Sequence, residues 1–288
     1  MYLVALSKMK IMEANKMLNY IKDVLENMPS GWLDLTTHRL DIYEERLAKT
    51  QFLEQFEALY EANNSSASAL SELPTAYDYI RLGHPLSCIL EWVIASLNNT
   101  NPTNVISFSS KTIPILAILR KNLLANKNTR IVYSEDLPDF FDAQILREVY
   151  SYEFELKKVG DVETDTEFNG STIFISHDDQ MHALNLTSNI DFYIGFHTHL
   201  GSILLVNGEQ NEAYVSEIQH VRRRETIAMT PANSLDAIKL LMDRSSVHSI
   251  KCDVEGNKAS VLNSIKKITG TQTNPLVASS GLSMQYAI

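Results

Sequence analysis

From Val105 onward the sequence alternates short apolar runs with helix-length amphipathic ones, and no other feature constrains the fold as strongly. Val105–Phe108 is a four-residue apolar run. Ile113–Asn122 then shows helical spacing, with a proline in its first turn, where the missing N–H costs nothing. Arg130–Tyr133, Glu153–Val159, Thr172–Ser176, Asp191–Gly195 and Ser202–Asn207 read as further strands. Asp142–Tyr150, Asn211–Arg224 and Ser234–Met242 read as helices. Strand and helix alternate with short connections, so the expected class is α/β: a mostly parallel sheet sandwiched by helices.

The first third differs. Residues 1–62 carry spaced Leu, Ile, Met and Phe among Glu and Lys, broken at Pro29-Ser30-Gly31, and predict a helical N-terminal region. Residues 63–74, NNSSASALSELP, are small and polar and read as a linker. The expected organisation is therefore 1–74 helical region and linker, 75–245 α/β domain, and 246–288 a C-terminal segment.

A net charge of −10 argues against a protein driven electrostatically onto nucleic acid or an acidic membrane. The compact basic run Arg222–Arg224 is followed directly by Glu225 and reads as a solvated helix face. Cys88 and Cys252 stand in unrelated contexts and form neither a disulfide framework nor a zinc spacing. No apolar run approaches the roughly 18 residues a spanning helix needs. The opening MYLVALSKMKIMEANK turns polar too early for a signal peptide. A cytoplasmic location is expected.

His197 and His199 lie one residue apart between two apolar runs, in GFHTHLGS. On an extended strand they would point to opposite faces, and one metal would not take both. An isopeptidase-type zinc site shares an H-[ST]-H core but also needs a carboxylate ligand and a glutamate base. Here Leu200-Gly201 follows and no aspartate appears until Asp236. No metal is expected, and on the pair alone the histidines read as loop residues.

Tyr77–Leu97, YDYIRLGHPLSCILEWVIASL, carries a more specific pattern: Tyr79, Arg81, Gly83-His84-Pro85-Leu86, then a helix with Leu90-Glu91. It resembles the opening of the catalytic domain in the Cys/Met-metabolism family of pyridoxal-phosphate enzymes, the cystathionine γ-synthase and lyase relatives. The resemblance continues in order over roughly residues 77–245. VISFSSKTIPILAIL resembles the strand, loop and helix that hold the cofactor phosphate, which puts Ser109, Ser110 and Lys111 at the loop. TIFISHDD resembles the strand whose aspartate faces the pyridine nitrogen, and Asp178 is the candidate. Asp191-Phe-Tyr-Ile-Gly-Phe-His-Thr-His resembles the stretch ending in Ser-x-Thr-Lys, so that Phe196 stands for the serine, Thr198 for the threonine and His199 for the Schiff-base lysine. The resemblance implies a fold-type-I large domain, an oligomer, and roles for Tyr79 and Arg81 at the phosphate of a neighbouring subunit.

The departures bear on the chemistry. An imidazole cannot form the stable imine that covalent pyridoxal-phosphate catalysis requires. Phe196 removes a hydroxyl, and Lys111 puts a bulky chain where backbone should approach a phosphate. The middle of the chain is also shorter than the family's and offers no clear cofactor-stacking tyrosine; Tyr133 lies in a predicted strand. The expectation is a degenerate copy acting as a structural, regulatory or partner subunit, in a homo-oligomer or beside an active paralogue. Two alternatives stand beside it. One is an active enzyme of this fold, holding pyridoxal phosphate without an imine through Lys111 and with His199 as base, or acting on a phosphorylated ligand. The other is an unrelated α/β sugar-phosphate or nucleotide binder. Residues 275–288, with Ser279-Ser280-Gly281-Leu282, repeat the phosphate-loop pattern and read either as the start of a second repeat or as an ordinary small-residue helix start.

Overall fold

The computed structural model describes residues 2–34, 45–74, 80–135, 137, 141–159, 168–177, 184, 186–197, 199–243, 253–278, 281 and 284–285. In chain order the elements are α1 (Tyr2–Asn27), α2 (Glu45–Glu61), α3 (Ala67–Ser71), α4 (Pro85–Asn98), β1 (Val105–Phe108), α5 (Ile113–Leu124) and β2 (Thr129–Tyr133). They continue as α6 (Ala143–Glu148), β3 (Glu155–Lys158), β4 (Ser171–His177), β5 (Phe192–His197), β6 (Gly201–Val206), α7 (Glu212–Glu225), α8 (Pro231–Asp243) and α9 (Val254–Thr269). Short 3-10 turns at Ser30–Leu33, Pro102–Asn104 and Glu209–Asn211 link them.

The six strands form one sheet in the order β1-β6-β5-β4-β2-β3. β5, β4, β2 and β3 pair in parallel, while β6 runs antiparallel to both its neighbours, β1 and β5. The expected α/β class, mostly parallel, is what the chain adopts. Side chains alternate between two apolar cores, as the two-residue period of a strand requires. Val105, Tyr193, Ile203 and Leu205 pack beneath α4, α8 and the N-terminal helices. Ile106, Phe108, Ile194 and Leu204 pack on the other face, against α5 and α7.

α4 is the central helix of the first layer. His84 caps it in a capping box, Pro85 opens it, and Asn99 ends it in the left-handed conformation (φ 54°). Its residues 85–95 are all buried, so it packs on every side. α2 lies on it through edge-to-face contacts of Phe56 and Tyr60 with Trp92 at 5.4 and 5.3 Å, and Trp92 Nε1 donates to Glu57 Oε1 at 2.8 Å. Within the stretch 63–74 read as a linker, Ser66 caps α3 and Leu70 and Leu73 are buried. The apolar positions in that stretch outweigh its polar composition. By contrast, α9 leaves Val261 and Ile268 exposed. Among the described residues no helix is long and apolar enough to cross a membrane.

Among the described residues no strand neighbours the outer edge of β1, and side chains take that strand's place. Lys49 Nζ donates to the Val105 carbonyl at 2.9 Å. The Ser107 amide donates to Glu91 Oε1 at 2.7 Å, and the Ser107 carbonyl accepts from Arg222 Nη1 at 3.1 Å. Further on, the Ser109 amide donates to the Ile227 carbonyl at 3.2 Å. The side chains themselves form a buried ion cluster: Glu91 is 1% exposed, with Lys49 Nζ at 2.6 Å on one carboxylate oxygen and Arg222 Nη1 at 3.1 Å on the other. Arg222 was expected on a solvated helix face. It lies inside instead, 4% exposed, because its partner Glu91 is buried on α4. Burial pushes the Glu91 carboxyl up, but Lys49 and Arg222 outweigh that and hold it below its ordinary value.

Breaking one member of such a cluster strands the others. Glu91→Ala should lower the unfolding free energy by about 3–5 kcal/mol, read from urea denaturation, because two buried cations lose their counter-charge. A loss under about 1 kcal/mol would mean that water or a rearranged side chain replaces the carboxylate.

Candidate functional site

The sheet brings two sequence-distant segments to one place. Phe108, the last residue of β1, pairs with Ser202 near the start of β6. The Ser109–Thr112 loop that follows β1 therefore lies beside the turn joining β5 to β6. Ser202 Oγ donates to the Ser110 carbonyl at 2.6 Å and fastens the two together. Gly201 makes this close approach work. Its φ is +132°, and a Cβ there would overlap the Phe108 carbonyl oxygen.

The loop's polar groups are engaged within the chain. Ser109 Oγ lies 3.3 Å from both Thr226 Oγ1 and the Ile227 carbonyl. Ser110 Oγ accepts the Ile113 amide, the first of α5, at 3.2 Å. Lys111 is half-buried, and that desolvation lowers its pKa.

In the facing turn, His197 is the last residue of β5 rather than a loop residue, since its register partner is Gly201. The strand continues because the antiparallel pairing with β6 runs to that position. His199 is exposed in the turn, and its amide donates to His197 Nδ1 at 3.4 Å. Phe196 is 4% exposed and packs in the α5/α7 core. Beneath the turn on the α4/α8 side lies a cavity of about 40 Å³, lined by Leu90, Ile94, His197, Ser202, Met229 and Leu240 among others. Roughly one water would fill it.

Of the residues singled out by the sequence, Ser109, Ser110, Lys111 and His199 gather at this edge. Arg81 lies in the 80–82 turn, where its Nη1 donates to the Arg223 carbonyl at 3.2 Å and the Ile80 carbonyl accepts the Ala228 amide at 3.0 Å, one residue along from the Ile227 carbonyl that accepts from Ser109. Tyr79, Asp178 and Thr198 lie outside the described residues, as do Cys252, Ser279 and Ser280. Among the described residues no three His, Cys, Asp or Glu side chains cluster in a way that could hold a metal ion. Cys88 is buried, which pushes its thiol up to about 12 and leaves it unreactive.

Three residues inside the resembling segments turn out to hold the frame. His84 is fully buried; its Nδ1 accepts the Ser87 amide at 3.2 Å, so its Nε2–H donates to the Met229 carbonyl at 2.6 Å. Burial lowers the imidazole to about 4, against an opposing push from that hydrogen bond. Asp191 accepts the Thr172 amide on one oxygen and Asn211 Nδ2 on the other, both at 2.8 Å. Glu91 is the edge cluster's centre. The clearest sequence signal for it is one carboxylate inside the otherwise apolar CILEWVIA, because a lone buried charge demands partners.

No protein-family model matches this chain, and no curated protein matches it. Solved structures do. MetB from Corynebacterium glutamicum overlaps at 17% identity with a TM-score of 0.37, over 67% of this chain and 60% of that one. Cystathionine γ-lyase from yeast overlaps at 13% identity and 0.42, over 68% and 60%. A Campylobacter jejuni chain described as an O-acetylhomoserine (thiol)-lyase, with a pyridoxyl-lysine monophosphate, overlaps at 13% and 0.37, over 74% and 66%. This chain thus spans less than two thirds of the length of each.

Two outcomes follow for stability. Gly201→Ala should cost at least about 2 kcal/mol in urea unfolding, since the left-handed backbone and the Phe108 carbonyl both oppose a Cβ. His84 binds its proton more weakly folded than unfolded, so the unfolded chain holds more protons between its ordinary pKa and about 4. Stability should therefore fall as the pH drops through that window, by on the order of 3 kcal/mol from this residue. His84→Gln should flatten the pH dependence there, measured by unfolding at pH 7 and 5; an unchanged slope would assign the titration elsewhere.

Proposed function

We propose that this chain is a degenerate relative of the Cys/Met-metabolism pyridoxal-phosphate enzymes, one that keeps the scaffold and serves as a structural, regulatory or partner subunit rather than forming a Schiff base. The observation that carries the reading is His199. The position the resemblance assigns to the lysine is an imidazole on an exposed turn. Covalent attachment does not fit these residues, because imidazole nitrogens do not yield a stable imine. Phe196, at the position of a phosphate-binding hydroxyl, is sealed into the core. The hydroxyls of Ser109 and Ser110 are turned to Ile227 and Ile113 of the same chain. The cavity beside the turn, about 40 Å³, is well below the roughly 300 Å³ of an ordinary cofactor pocket.

The test is a titration of the purified chain with pyridoxal phosphate, followed by borohydride reduction and peptide mapping. No visible-range Schiff-base absorption and no reduced adduct at stoichiometric cofactor is the expected result. A single lysine trapped by reduction would overturn the reading and identify an amine other than the residue at position 199.

A further inference from the structure

The sequence holds two Asn-Gly steps, Asn169-Gly170 and Asn207-Gly208. Such a step is open to attack from within the chain, because glycine puts no side chain in the way of its own amide nitrogen. That nitrogen can reach the asparagine carboxamide carbon and close a succinimide ring. The fold treats the two steps differently.

Asn207 is held in place. It is half-buried, and its Nδ2 donates to the Thr187 carbonyl at 2.9 Å and to the Ile190 carbonyl at 2.7 Å. Its own carbonyl accepts from Asn211 Nδ2 at 2.6 Å, and its amide donates to the Asp191 carbonyl at 2.8 Å. The carboxamide therefore cannot swing toward Gly208 without breaking both of its bonds. Asn169 is exposed in the bend that leads into β4, and among the described residues nothing hydrogen-bonds its carboxamide. The Gly170 amide donates to the Phe168 carbonyl at 2.9 Å, a γ-turn that lies ahead of the β4 ladder, so opening it costs no strand pairing. Packing also fixes glycine at this position. A Cβ at 170 would overlap the Asn128 carbonyl oxygen, which accepts the Ser171 amide at 2.8 Å as β4 begins.

We propose that Asn169-Gly170 is a site of spontaneous deamidation, which puts an isoaspartyl link at the entry to β4. The deprotonated Gly170 nitrogen attacks Asn169 Cγ. The N–Cγ bond forms, the Cγ–Nδ2 bond breaks, and Nδ2 leaves as ammonia. Water then opens the succinimide at one of its two carbonyl carbons. Opening at Cγ gives aspartate. Opening at the main-chain carbonyl gives isoaspartate, whose chain runs on through Cγ with an added methylene. The sum is one water consumed and one ammonia released, with no oxidant or further reactant. Either product adds a carboxylate to the recess that Asn169 shares with Thr172, Ser188 and Asp191.

The test is to incubate the full chain in warm, mildly alkaline buffer and map its peptides by a method that separates asparagine, aspartate and isoaspartate. A parallel sample in urea gives the rate of each step without the fold. In urea the two steps should react at comparable rates. In the folded chain Asn169 should react within about threefold of its urea rate, and Asn207 at least about tenfold more slowly than its own. Protection of Asn169 in the folded chain equal to that of Asn207 would overturn the proposal, because the bend would then be as closed as the held site. Reaction of folded Asn207 at its urea rate would overturn it too, because the fold would not be what selects between the steps.

Discussion

The buried Glu91 carboxylate holds together parts that no hydrogen-bonded ladder joins. β1 is an edge strand, and an open edge exposes unpaired amides and carbonyls that invite another strand. Glu91, Lys49 and Arg222 meet those groups with side-chain donors and acceptors at 2.7–3.1 Å. The arrangement is an artificial neighbouring strand made from three helices: α4 gives the acceptor, α2 and α7 the donors. It also explains why charged groups can be buried there. Each ion has both a counter-charge and a backbone partner, so the desolvation cost of each is offset twice. The N-terminal helices, through Lys49, are thereby tied to the sheet at the strand that leads into the Ser109–Thr112 loop.

Most of the fold was legible because sheet burial on both faces imposes a strong pattern. β1 falls on Val105–Phe108 in sequence and structure alike, and the other strand and helix ends differ by only a few residues. The period of two is plain when each alternate residue enters a different apolar core, as Phe192 and Tyr193 do. What was not legible depends on long-range pairing. Arg222 sits in a run of three arginines on a helix with ordinary amphipathic spacing, and nothing local distinguishes it from Arg224. Its burial follows from a carboxylate 131 positions earlier. The segment 63–74 misleads for a related reason. Its composition is that of a linker, while Leu70 and Leu73 find apolar neighbours only once α1 and α4 are assembled.

The candidate site was half legible. Register alone brings the loop after β1 beside the β5–β6 turn, and a sequence order of strand, loop and helix suggests such a meeting. The sequence does not say that the loop's hydroxyls would be taken up internally, by Ile227 and Ile113.

The resembling residues divide by what they do. His84 caps α4 and reaches Met229; Glu91 fills the edge of β1; Asp191 ties β4 to the start of α7; Gly201 lets the turn approach Phe108. Each has a structural task that would persist with no cofactor present. The positions to which the sequence resemblance would assign Schiff-base and phosphate chemistry hold histidine at 199, phenylalanine at 196 and lysine at 111. A pattern carried by capping, edge and turn residues specifies a scaffold, and a scaffold does not specify a reaction. The resemblance in this chain is therefore an argument about how it folds.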